Sequence, residues 1–390
     1  MLIIPRWLGK KGLIAMGIST LVVILLVVVL VQEYRNRNQR IMGEIYEGVG
    51  FANFTEYSKA IVFDRDPGLF PLKSRKEIDQ FLRENSDRLN VDESGDALQI
   101  VQQYDQEFLE VVQSSPARSP MTSEMAHLEH FNFTGVRSRL ISLFSYARFM
   151  GDCSSLTGKF VAALEANENL CSGGTLVEEL VRQAILKDFL ATLGFYLQSC
   201  KEGTESVADL RLLLKTLEKV ESPLESIKRS LITEILGSIE LVNVNRSEVF
   251  PSGVLGYVFE PDIYFYLTHQ QRLLADLDNI ETLTEFSPLP EFPWYAIYTK
   301  ILLLGETAMN NALANSRASH GLLEFTKDCL RAEIHWKTTG EHWSGPLSRF
   351  SRIEEVTKSD SEQNDRNLIY SGPELPPQWN GVVSTQYRLP

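Results

Sequence analysis

Two histidines stand three residues apart in His127-Leu-Glu-His130, a spacing that on a helix sets both imidazoles on one face. Two such rings can hold a metal, but a tetrahedral site needs further ligands, and none follows at a workable spacing. Phe131-Asn-Phe133 continues the segment as packing material, so the pair reads as surface or structural histidines. A second repeat, His335-Trp336 and His342-Trp343, brackets Lys-Thr-Thr-Gly-Glu. Exposed indoles there would form an aromatic surface for a sugar or a peptide, whereas buried ones would anchor the C-terminal tail onto the preceding helices. Anchoring is the preferred reading.

Gly151 and the Gly158-Lys159 pair suggest a phosphate loop only at first sight. Their spacing is too long by two residues, Phe160 stands where the magnesium-binding hydroxyl belongs, and no strand precedes them. The chain holds no G-x-S-x-G elbow, H-E-x-x-H pair or G-x-G-x-x-G turn. Glu354-Glu355 is a carboxylate pair, but such neighbours are too common to single out a glycosidase site. Catalytic, cofactor-binding and metal-binding residues are therefore assigned to none, and no cofactor is expected.

Four cysteines, Cys153, Cys171, Cys200 and Cys329, lie at least 18 residues apart, which fits neither a zinc motif nor a disulfide-dense scaffold. Cys171 stands one helix length from both Cys153 and Cys200, roughly 25–35 Å, too far to bond either. Cys153 and Cys200 fall at the same end of an expected antiparallel hairpin. They can meet if the second helix bends near Gly194.

The elements around these residues begin with a run of 19 uncharged residues, Leu13 to Val31. As a helix it spans roughly 28 Å, close to the hydrocarbon thickness of a bilayer. A cleaved signal peptide would carry a shorter apolar stretch ending in small residues, whereas this one ends in Leu-Val-Gln-Glu-Tyr-Arg. A retained single-pass transmembrane helix is expected. Arg6, Lys10 and Lys11 before it balance Arg35, Arg37 and Arg40 after it, so the flanking charges do not orient it. Domain length favours a cytoplasmic N-terminus and an extracytoplasmic C-terminal domain.

Residues 1–40 carry six basic side chains and one acid; the other 350 residues carry a net charge of −18. Such a domain repels phosphate backbones, which argues against nucleic-acid binding. Sequons at Asn53, Asn132 and Asn245 occur at the frequency chance gives and carry no weight.

Beyond the anchor the punctuation is helical. Ser74-Arg-Lys-Glu77, Thr175-Leu-Val-Glu178 and Ser222-Pro-Leu-Glu225 read as capping boxes. An amphipathic pattern covers Val91–Val112, and Ser114 to Pro120 reads as a linker. The helix after Thr175 has one apolar face with Val177, Leu180, Val181 and Ala184, and another with Phe189, Leu190, Leu193, Tyr196 and Leu197. Apolar on two sides, it belongs at the centre of a stack. Leu210, Leu213, Leu214, Leu217 and Val220 stripe the next helix; Leu224, Ile227, Leu231, Ile235 and Ile239 stripe the one after. Further helices are expected at about Asp262–Phe286, Trp294–Asn315 and Ser319–Lys337, with β-like runs at Leu368–Tyr370 and Val382–Tyr387.

Leu322 to Gly340 is similar to an "A–L–E–x–Y–R–x–x–x–G" segment, and Leu368-Ile-Tyr-Ser-Gly-Pro373 to the "Y-S-x-G-P" ending that follows it. With the N-terminal anchor and helical middle, these residues resemble uncharacterised membrane-anchored proteins of planctomycete-type bacteria. The ending also resembles the tail of type II secretion pseudopilins, where acids after Gly-Pro hold calcium. Here Glu374-Leu-Pro-Pro-Gln-Trp379 follows with one acid, so no calcium site is carried over. The resemblance implies an architecture and no activity.

The expected fold is mainly α: a transmembrane helix, then a helical-hairpin array, α-solenoid-like, with a short irregular and β C-terminal tail. The expected segments are an N-terminus (1–12), the span (13–32), a juxtamembrane helical region (33–120), the array (121–286), C-terminal helices (294–338) and a Gly/Pro-rich tail (339–390). The expected function is a membrane-tethered scaffold at the inner membrane binding a protein partner in the cell envelope. The alternative is an envelope hydrolase or carbohydrate-binding protein.

Overall fold

The computed structural model describes residues 10–57, 60, 156–171, 176–199, 206–244, 259–288, 291–293, 296, 299, 306–356, 365–379 and 383–389. The His127/His130 pair, the first capping box, the helix at 91–112, the linker at 114–120 and the Cys153–Cys200 pairing lie outside these residues, as does Thr175. The described chain is mainly helical, with an apolar N-terminal helix and a small antiparallel sheet near the C-terminus. Its helices are α1 (Lys10–Gly48), α2 (Leu156–Cys171), α3 (Leu176–Ser199), α4 (Val207–Lys219), α5 (Pro223–Val244), α6 (Glu260–Leu277) and α7 (Glu306–Thr339). The strands are β1 (Ser351–Val356), β2 (Asp365–Tyr370) and β3 (Gln386–Arg388). They form two compact units, each drawn from separate stretches of chain.

The first unit contains residues 1–56, 235–279 and 286–307. It holds one helix long and apolar enough to cross a membrane. Every large apolar side chain from Ile18 to Leu30 is exposed, by 48% to 62%. The helix then continues without a break and changes character. Asn38, Ile45 and Tyr46 are buried at the spacing of one helix face. On α6 the matching face carries Ile263, Tyr266, Leu267, Leu273 and Leu277. Asn38 donates to the Glu260 carboxylate at 2.8 Å, and Gln271 donates to Glu44 at 3.2 Å. From the Asn38–Glu260 pair to the Glu44–Gln271 pair, α6 advances along α1 in the same direction.

Helix α6 ends at Leu277, earlier than the Phe286 read from the sequence. Asp276 explains the stop: its carboxylate accepts from the Ser287 N–H at 2.8 Å and the Ser287 hydroxyl at 3.1 Å, folding the next residues back in turns. Asp278 and Asn279, poor helix formers, follow at the break.

The second unit contains residues 57–234, 280–285 and 308–390. Helix α3 runs through its core, burying Ile185, Leu186, Phe189, Leu190, Leu193 and Leu197. Val177, expected on the apolar face, is instead 59% exposed, because the buried face of the first turns is polar: Glu179, Arg182 and Gln183 point inward. Helix α4 buries Leu210, Leu213 and Leu217, and Ser206 caps it by accepting from the Asp209 N–H at 3.2 Å. The α5 stripe is buried as read, from Leu224 to Ile239.

Helix α7 is one helix across residues 306–339 where the sequence suggested two. Asn315 to Ser319 contains no proline or glycine, and the Ser316 hydroxyl donates to the Ala312 carbonyl at 2.7 Å, so the turn closes without a break. Gly340, at φ +72°, ends it, its N–H returning to the Trp336 carbonyl at 2.8 Å. The sheet has the order β1-β2-β3, all antiparallel, with Leu368 of β2 opposite Ile353 and Tyr387. Charged Arg352, Glu354 and Glu355 hid β1 from a search for apolar alternation.

Candidate functional site

Arg182 is fully buried on α3. Its Nε and Nη2 both donate to Glu179 at 2.9 Å, and its Nη1 donates to Glu168 of α2 at 2.8 Å. Glu179 also accepts from Gln183 at 2.6 Å and from the hydroxyl of Ser226 on α5. Gln183 donates in turn to Ser316 of α7 at 2.7 Å. The cluster around this guanidinium thus links four helices. Glu179 accepts four hydrogen bonds, which leaves it no lone pair for proton abstraction and marks the cluster as a structural hub. Burial pushes the Glu168 carboxyl above its ordinary value, with the Arg182 charge opposing that rise.

A second cluster fixes the tail. Asp328 of α7, buried, accepts from the Ser348 N–H at 2.9 Å, the Ser351 hydroxyl at 2.7 Å and Arg331 at 3.1 Å. Glu333 accepts from the buried Tyr387 hydroxyl of β3. The Tyr-Ser-Gly-Pro segment performs a related task. The Tyr370 hydroxyl donates to the Pro373 carbonyl at 3.0 Å, and its ring packs edge-on to Phe325. A Cβ added at Gly321 would stand 2.6 Å from that hydroxyl, so the glycine is what lets the tail approach α7. At Gly194 an added Cβ would lie 3.4 Å from the Ser384 Cβ, an ordinary van der Waals contact. The glycine that the sequence offered as a bend lies within a continuous α3.

The two His-Trp dipeptides cross over. His335 packs edge-on to Trp343 with centroids 5.4 Å apart, and His342 stacks on Trp336 at 5.5 Å. Trp343 is packed against the core of the second unit, while Trp336 stays half-buried against the exposed His342. Phe160 is core as well, edge-on to Phe189, and Gly158 lies in the first turn of α2. Glu354 pairs with Arg352 at 2.6 Å on the surface of β1. Cys329 is a free, buried thiol on α7, pushed well above its ordinary range by burial. It lines a small cleft with Leu190, Gly194, Thr326, Val383 and Tyr387. Among the described residues no three His, Cys, Asp or Glu side chains are grouped to hold a metal.

The Arg182 hub was not found from sequence, because Glu179 and Arg182 fall at positions that a helical pattern assigns to solvent. The usable signal was a polar Glu-Leu-Val-Arg-Gln stretch inside a helix otherwise apolar on two sides. No family model, no characterised protein and no solved structure matches the chain.

Proposed function

We propose that the protein is a single-pass, membrane-tethered scaffold whose helical-hairpin array presents an acidic surface to a protein partner in the cell envelope, outside the inner membrane. The observation that carries this reading is the continuity of α1. Its exposed apolar stretch and its docked stretch form one helix, and Asn38, Ile45 and Tyr46 hold the latter in the first unit. Cleavage after the apolar run, as for a signal peptide, would cut the helix within two turns of Asn38. Retention keeps that packing intact. The −18 charge beyond residue 40 supports a cationic partner surface.

The test is photo-crosslinking of the full chain in its native membranes, followed by co-purification. A discrete partner retained at low salt and weakened at high salt is expected. Recovery of the chain alone under both conditions would overturn the scaffold reading.

A further inference from the structure

The first unit brings a second element to the level at which α1 leaves its apolar stretch. Tyr264 of α6 packs edge-on to Tyr34 of α1, ring centroids 5.6 Å apart, and both rings remain half-exposed. One turn further along α1, Asn38 donates to both the carbonyl (3.1 Å) and the carboxylate (2.8 Å) of Glu260, fixing the start of α6. Phe259, half-exposed, precedes it as the cap residue. Tyr34 lies four residues past Leu30, about 6 Å along the helix. The headgroup layer on each side of a hydrocarbon core is roughly 5–8 Å thick. The Tyr34–Tyr264 pair therefore falls within that layer, where aromatic rings with one polar end are at home. Arg35, half-exposed, and Arg37, exposed and paired with Glu33, stand at the same level, where cationic side chains meet lipid phosphates. The later turns of α6 move away from the membrane, since Gln271 reaches Glu44, ten residues beyond Tyr34 on α1.

We propose that the N-terminal turns of α6, through Phe259 and Tyr264, sit in the lipid headgroup layer beside α1. The first unit then touches the bilayer at a second helix and is held at a fixed distance from it. The occupant of this surface is lipid, because the surface is continuous with the apolar stretch of α1 and carries the aromatic and arginine pairing that an interface selects. The inference rests on the proposed tether.

Its test places a photoreactive benzoylphenylalanine in the full chain at Leu25, Phe259, Tyr264 or Ala275, one position at a time. The chains are reconstituted in vesicles of phosphatidylcholine and phosphatidylglycerol, and lipid adducts are read by mass spectrometry. Ala275, exposed and about 16 Å further along α6, serves as the control beyond the headgroups. Adducts at Leu25, Phe259 and Tyr264 with none at Ala275 are expected. If Leu25 gives adducts while neither Phe259 nor Tyr264 does, the inference is overturned and the tether stands. Equal adducts at Tyr264 and Ala275 would overturn it too. If Leu25 gives none, the tether itself fails.

Discussion

Arg182 shows how a charge can be committed to architecture. It is sequestered from water with two carboxylates around it, and the cost of burying these groups is offset by the hydrogen bonds that Arg182 donates to both. Arg182→Met should therefore be severe, leaving Glu168 and Glu179 without their cation. A loss of about 3–5 kcal/mol is expected in chemical denaturation. Glu168→Gln should behave differently. Burial raises the Glu168 carboxyl above its ordinary 4.5, so the folded state holds that proton more tightly than the unfolded chain. Its contribution is present in full below pH 4.5 and is lost as pH rises through the higher folded value. The glutamine variant, which has no such proton to lose, should gain stability relative to the parent as pH rises from 4 to 7. Denaturation series across that range check this; a difference that is flat or falls with pH contradicts it. Cys329, buried with its thiol raised, should resist alkylation in the native protein and react on unfolding.

Among the elements, the join between α7 and the tail depends on absent side chains. Gly321→Ala brings a methyl within 3.1 Å of the Tyr370 ring and 3.2 Å of Pro373. Overpacking of this kind costs about 1–3 kcal/mol, against roughly 1 kcal/mol gained from alanine's helix propensity. A net loss is expected, with thermal melting as the measure. Gly158→Ala, with nothing within 4 Å, should be neutral or stabilising. Much at this scale was legible in sequence: the α4 and α5 stripes, the central place of α3 and the strand at Leu368–Tyr370 follow from periodicity alone. What was not legible depended on distant partners. Asp276 shortens α6 by capturing Ser287, and the Ser316 turn fuses two expected helices. Strand β1 forms from Ser-Arg-Ile-Glu-Glu-Val because β2 supplies its register, not because its own pattern asks for it. The pairings of Arg182 and Asp328 lie across elements, where local pattern carries no information.

At the scale of the whole molecule, α1 is the feature on which the proposed function turns. Its outer stretch offers uncharged, mainly apolar side chains to its surroundings, and its inner stretch belongs to the core of the first unit. The proposal places the acidic array outside the inner membrane. Protease added to intact spheroplasts should then digest epitopes beyond residue 40, and protection of those epitopes would reverse the orientation. The most direct measurement concerns retention. The full chain, tagged at both ends, is expressed, and its membranes are extracted with alkaline carbonate. The account predicts that both tags stay in the membrane pellet on one full-length band. A shortened, carbonate-soluble chain that has lost the N-terminal tag would contradict it.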